Sequence, residues 1–177
     1  MNEKPLIKKV KKGNQKAFKE LYDQYANYAL ATAISITKNK NDASDIVQET
    51  FIKVYRNIHA FDHKRPFKPW FYRILINETN RYMKNKTKHQ SVSTVDNTIE
   101  MFTYKRNDEN LIIEEALNQL EEINRTPIIL KYLHDFTEKE IAEILELNLN
   151  TVKSRLFKGR EKLRTILGGM TDEKKQV

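Results

Sequence analysis

The chain has no cysteine, four glycines, four prolines and a single tryptophan in 177 residues. Without cysteine there is neither a disulfide framework nor a thiolate metal site, and a reducing compartment suits the composition. So little glycine and proline leaves too few turn signals for a many-stranded fold, while abundant Lys, Glu, Leu, Ile and Ala favour helices. Long apolar runs are missing too. The longest mostly apolar stretch, residues 28–36, is too short to span a bilayer, and the basic residues 1–12 lack the apolar core of a signal peptide. These absences lead to the expectation of a soluble, cytoplasmic, all-α protein with no direct membrane insertion.

What the chain has in excess is positive charge. Lys and Arg number 32 against 24 Asp and Glu, a formal net charge of +8 that favours a polyanionic partner. Nucleic acid comes first and an anionic membrane surface second.

Apolar residues recur at helical spacing from Asn14 to Thr37, through Phe18, Leu21, Tyr22, Tyr25, Tyr28, Ala29 and Ala33. A second helix is expected after Asn41 or Asp42 as N-cap, with Ile46, Val47, Thr50, Phe51, Val54, Tyr55 and Ile58 on its apolar stripe. Pro66 and Pro69 place a loop at residues 59–68 and a third helix from about Trp70 to Lys86. Periodicity then fades into Ser, Thr, Asn, Asp and Lys. The expected organisation is therefore two small helical domains, residues 1–88 and 111–177, joined by a linker at 89–110. Four further helices are expected near residues 111–124, 127–134, 138–146 and 150–167, with Gly168 and Gly169 stopping the last.

Three constellations carry chemistry. Residues 136–164, FTEKEIAEILELNLNTVKSRLFKGREKLR, read as a helix-turn-helix. Thr137 and Glu140 form a capping box, a turn falls near residues 146–148, and Asn150 or Thr151 is the expected cap of the second helix. That helix turns Lys153, Ser154, Arg155, Lys158 and Arg160 outward, a side-chain set that can meet bases and phosphates in a major groove wide enough to admit it. A solvated basic face on a structural helix is the plainer alternative.

Residues 61–88 interleave aromatic rings with eight cations against two acids. Rings stack on bases while cations follow the backbone, a combination suited to single-stranded nucleic acid. Trp70, Ile74 and Phe71 are better assigned to the core, and Lys64, Arg65 and Lys68 to function. The third feature is the polar face of the second helix, Asp45, Gln48, Glu49, Ile52 and Lys53. Its acids would repel DNA, so a basic protein partner or an ordinary solvated face are its two readings. His59 and His63 stand four apart, but the expected loop weakens a metal site there. No nucleophile with a base, phosphate-cradling loop or zinc signature is visible, so neither catalysis nor a cofactor is expected.

In their order along the chain these constellations resemble the extracytoplasmic-function (ECF) sigma factors of bacterial RNA polymerase. DASDIVQETFIKVY, residues 42–55, looks like the family's polymerase-binding helix; PFKPWFYRILIN, residues 66–77, is similar to its promoter-melting segment; residues 137–164 look like its upstream-element helix-turn-helix. The resemblance implies that Asp45, Gln48, Glu49 and Ile52 bind the clamp helices of core RNA polymerase. It implies that the loop carrying Phe61, Lys64, Arg65 and Lys68 captures a flipped base, with Asn77, Asn80, Arg81 and Lys84 along the same strand. Asn150, Thr151, Lys153, Ser154, Arg155, Lys158 and Arg160 would read the upstream element of promoter DNA, and an anti-sigma factor would restrain the protein. The family often has an acidic residue where this chain has Arg81, and glycines where it has Asp135 and Glu146, so a differently built turn is expected at those two positions. A stand-alone helix-turn-helix repressor or activator leaves the first two constellations unexplained. A nucleic-acid-processing enzyme lacks a carboxylate cluster or general base.

Overall fold

A computed structural model describes residues 3–89 and 108–173, with side chains over 3–86 and 112–168. The described residues form α-helices and one 3-10 turn with no strand, and the chain divides into two compact units, 1–101 and 102–177.

In the first unit α1 (Lys4–Lys11) buries Leu6, Ile7 and Val10. Gly13, at φ 77°, makes the turn into α2 (Gln15–Thr37), which Asn14 caps by accepting from the Ala17 N–H at 3.0 Å. Lys11 donates to the Phe61 carbonyl at 2.8 Å, and the Tyr25 hydroxyl donates to the Glu3 carboxylate, so α1 is tied down at both ends. Helix α3 (Lys40–Asn57) then packs on α2, a 3-10 turn follows at Ile58–Ala60, and α4 (Phe67–His89) closes the bundle.

An aromatic cluster fills the space between these helices. Phe71 lies 4.8 Å from Tyr25 and 5.3 Å from Phe51, ring centre to ring centre, and Phe61 lies 4.8 Å from Trp70. Tyr22, Tyr28 and Tyr55, expected inside, are instead exposed. They flank stripes whose centres are already occupied by Leu21, Tyr25, Ala29, Phe51 and Val54.

In this unit two helix starts differ from expectation. Helix α3 is capped by Asn39, which accepts from the Asp42 N–H at 3.0 Å, because Lys38 takes a left-handed conformation and turns the chain earlier. Asp42, freed from capping, reaches across to α4 and accepts from Tyr82 at 2.9 Å and Lys86 at 2.5 Å. Helix α4 begins at Phe67 rather than Trp70, so Lys68 is helical. Pro69 sits in its first turn, where a missing N–H costs nothing.

The second unit comprises α5 (Asp108–Asn118), α6 (Glu122–Tyr132), α7 (Glu138–Leu145) and α8 (Leu149–Glu173). Of the expected linker, residues 90–107 lie outside the described residues, while His89 ends α4 and 108–110 begin α5. Pro127, expected to open a helix, lies inside α6. The break falls earlier, at Leu120, whose buried side chain anchors the turn. Helix α8 is capped by Asn148, accepting from the Thr151 N–H at 2.7 Å, and not by Asn150 or Thr151. Nor do Gly168 and Gly169 stop it: glycine weakens a helix by only about 1 kcal/mol, so the ladder runs on to Glu173.

Candidate protein and nucleic-acid interfaces

The helix-turn-helix is built as its local sequence dictates. Thr137 accepts from the Glu140 N–H at 3.2 Å while the Glu140 carboxylate accepts from the Thr137 N–H at 2.8 Å, completing the capping box of α7. The turn is not built differently for want of glycine. Glu146 takes φ 54° and Asp135 φ 57°, the left-handed conformation in both cases. Ile141, Ile144, Val152 and Leu156 are buried beneath.

Helix α8 approaches α6 closely at Gly159, where a Cβ would come within 2.7 Å of Ile128 and 3.4 Å of the Asn124 carbonyl. That close crossing sets the depth at which α8 lies. Burial pulls the Arg125 guanidinium on α6 below its ordinary pKa, and the charge of Glu122 opposes the shift.

Asn150, Lys153, Ser154, Lys158 and Arg160 are exposed on α8, and Thr151 and Arg155 half-buried. Asn150, Thr151, Ser154, Arg155 and Lys158 line one groove of mixed character, shared with Asn148, with Glu121 and with Ile123 and Asn124 of α6. Lys153 and Arg160, seven residues apart, lie on the other flank of the helix. Sequence reasoning missed Phe157 between these two flanks, 59 % exposed. Its signal was present, because it falls outside the apolar period of Val152, Leu156 and Leu163.

In the first unit Asp45, Gln48 and Ile52 are exposed along one side of α3, with Glu49 half-buried beside them. Gln48 and Ile52 line a groove between α2 and α3 whose floor is Phe18, Val47 and Phe51 and whose rim is Tyr22 and Tyr55. The face is thus acidic at one edge and apolar at the other.

The loop after the 3-10 turn is folded on Asp62. Its side chain accepts from the Lys64 N–H at 2.9 Å and its carbonyl from the Arg65 N–H at 3.0 Å, which turns Lys64 and Arg65 out to solvent. Phe61, assigned to DNA on sequence grounds, is only 5 % exposed and packs against Phe67 and Trp70. Its ring shapes the loop and is not available as a stacking platform. Asn77, Asn80, Arg81 and Lys84 are all exposed, and their spacing puts them on one stripe of α4. Burial, then the hydrogen bond to Asp42, pushes the Tyr82 phenol up to about 12.

Comparison with known proteins follows this division. Residues 21–89 match the sigma-70 region 2 family and residues 110–163 the sigma-70 region 4 family. The chain is 36 % identical over 176 residues to ECF RNA polymerase sigma factor SigW of Bacillus subtilis, covering 91 % of this chain and 94 % of that one. To the ECF RNA polymerase sigma-E factor of Escherichia coli it is 33 % identical, covering 91 % and 92 %. Among solved structures, CnrH in complex with the cytosolic domain of CnrY aligns with a TM-score of 0.71 at 26 % identity, over 96 % of this chain and 99 % of that one. RpoE in complex with the anti-sigma factor NepR from Bartonella quintana aligns at 0.75 and 27 %, over 86 % and 98 %.

Proposed function

The chain belongs to the ECF RNA polymerase sigma factors, a family of non-catalytic initiation factors, and from that membership we propose the division of labour among its surfaces. It binds core RNA polymerase and directs promoter-specific initiation. In the proposed assignment residues 1–88 form the domain for polymerase binding and the downstream element, 89–110 the linker, and 111–177 the domain for the upstream element.

Asp45, Gln48, Glu49 and Ile52 dock on the polymerase, where acids meet a basic partner and the apolar edge supplies burial. Lys64, Arg65 and Lys68 hold the backbone of the opened strand beside a captured base, with Phe61 supporting the loop from below. Asn77, Asn80, Arg81 and Lys84 follow the same strand. On α8, Asn150, Thr151, Ser154, Arg155 and Lys158 face base edges from one groove, and Lys153 and Arg160 straddle phosphates. Phe157 offers an apolar contact to a thymine methyl.

Capture of the unpaired strand stabilises the open promoter, so binding energy offsets unpairing and the chain itself performs no hydrolysis. CnrH is in complex with the cytosolic domain of CnrY, and the sigma factor RpoE with the anti-sigma factor NepR. By analogy an anti-sigma factor restrains this chain. No described helix is long and apolar enough to cross a membrane, and the proposed site of action is the cytoplasm, where the polymerase works.

The observation that carries this assignment is the presence, in one chain, of a basic helix-turn-helix and of a second helical unit with an acidic face on α3 and a polar, basic stripe on α4. The test is transcription in vitro from a library of promoter fragments by core polymerase, with and without the chain. Promoter-specific initiation only in its presence is expected; repression without initiation would make it an operator-binding regulator.

A further inference from the structure

Glu78 is a carboxylate at the edge of the α4 stripe whose side chain is only 6 % exposed, and it is held by two cations. Lys53 of α3 donates to Oε1. Arg81, one turn along α4, donates to Oε2 through Nε at 2.9 Å and Nη2 at 2.6 Å. The Arg81 side chain is itself 55 % exposed. One edge of its guanidinium is committed to Glu78 while the rest of the side chain is exposed on the stripe of Asn77, Asn80 and Lys84.

We propose that Glu78 is a positioning residue that withholds the charge of Arg81 from DNA phosphates and presents its guanidinium to base edges of the opened strand. The inference rests on the reading of the α4 stripe given above.

Counterion release requires a cation whose charge is uncompensated, so a guanidinium already paired with a carboxylate adds little to phosphate binding. Its remaining N–H groups keep their hydrogen-bonding capacity, and the fork fixes their direction. Lys53 makes the arrangement durable. Anchored on the neighbouring helix, it donates to the other carboxylate oxygen, so Glu78 is held at both oxygens and gives Arg81 a fixed seat, although the one carboxylate shared by two cations shields the charge of Arg81 only in part. Arg81 thereby becomes a directional donor, while Lys84, one turn further on and without a carboxylate partner among the described residues, keeps its full charge for the backbone.

The experiment uses holoenzyme assembled from the full chain and bacterial core polymerase, with a short, fluorescently labelled, mixed-sequence single-stranded DNA as probe. Affinity is measured against salt for the wild type, Glu78→Gln, Arg81→Ala, the double variant and Lys84→Ala.

Freeing Arg81 adds one phosphate contact, so the slope of log affinity against log salt should steepen in Glu78→Gln by about 0.7, or about 2.6-fold more affinity lost over a fourfold rise in salt. In the Arg81→Ala background the same change at Glu78 should leave the slope where Arg81→Ala alone puts it. Arg81→Ala by itself should lower affinity with the wild-type slope, whereas Lys84→Ala should make the slope shallower. A merely structural Glu78 would not move the slope.

An unchanged slope in Glu78→Gln, or a steepening that persists without Arg81, overturns the inference while leaving the stripe intact. Unchanged binding by Lys84→Ala, in contrast, sinks the reading of the stripe and the inference with it. Should Glu78→Gln fail to fold by thermal melting, Glu78→Ala reads the same quantity, since it too removes the carboxylate that pairs with Arg81.

Discussion

Lys38, Asp135 and Glu146 each hold a left-handed backbone conformation, with φ of 57°, 57° and 54°. For a residue with a Cβ this conformation costs roughly 1–2 kcal/mol, and glycine escapes that cost at some loss of chain entropy. Glu146→Gly should therefore stabilise the second unit by about 0.5–1 kcal/mol, read as a raised denaturant midpoint; no gain would mean that the Glu146 side chain contributes an offsetting contact. Gly159 presents the reverse case. Alanine would gain about 1 kcal/mol in helix propensity. Its Cβ, however, would meet the buried Ile128 at 2.7 Å, an overpacking that costs about 1–3 kcal/mol. The clash prevails, and Gly159→Ala should lower stability by about 1 kcal/mol in the same assay while weakening upstream-element binding by displacing α8. A variant as stable as the wild type would show that α6 and α8 can move apart freely.

At the level of elements, helix starts follow asparagine and threonine: Asn14 for α2, Asn39 for α3, Thr137 for α7 and Asn148 for α8. Thr137 was legible because its capping box is a local pattern. Asn39 and Asn148 were not, since each competed with further polar residues two positions on, at Asn41 and Asn150, and the left-handed turns at Lys38 and Glu146 decided between them. Helix α3 shows how one element divides its duties. Asp42 is committed to Tyr82 and Lys86, and Lys53 to Glu78, while Asp45, Gln48, Glu49 and Ile52 carry the polymerase contact proposed above. Glu49→Lys should accordingly weaken binding to core polymerase at least tenfold, as a reversed charge does in a close ionic contact, with unchanged helicity by circular dichroism. Equal affinity would remove Glu49 from the interface.

On the scale of the molecule, three tyrosines of the first unit bind their protons more tightly when folded. Burial raises Tyr25, Tyr72 and Tyr82, with hydrogen bonding to Glu3 adding to the shift at Tyr25 and to Asp42 at Tyr82. A phenol whose folded pKa lies above its unfolded value near 10.0 contributes stability that is complete below that value and is lost as pH rises through the folded one. The first unit should therefore weaken from about pH 10 through about 12, as Tyr82 is reached, and further as Tyr25 and Tyr72 ionise. Urea unfolding at increasing pH, followed by tyrosine absorbance, checks this; a midpoint that stays constant across that window would contradict it.

By itself the sequence determined the all-helical class, the helix-turn-helix and the acidic or basic character of the polar faces. Helical periodicity and capping boxes connect residues three or four apart, so they can be read along the chain. Only the tertiary structure decided that Phe61 is buried, that Tyr22, Tyr28 and Tyr55 are not, that α8 runs past its glycines, and that Glu78 unites Lys53 with Arg81. Those outcomes depend on partners distant in sequence, 25 residues for Lys53 and Glu78 and 40 for Asp42 and Tyr82. A residue's own side chain does not encode which of several neighbours will cover it; the packing of helices does.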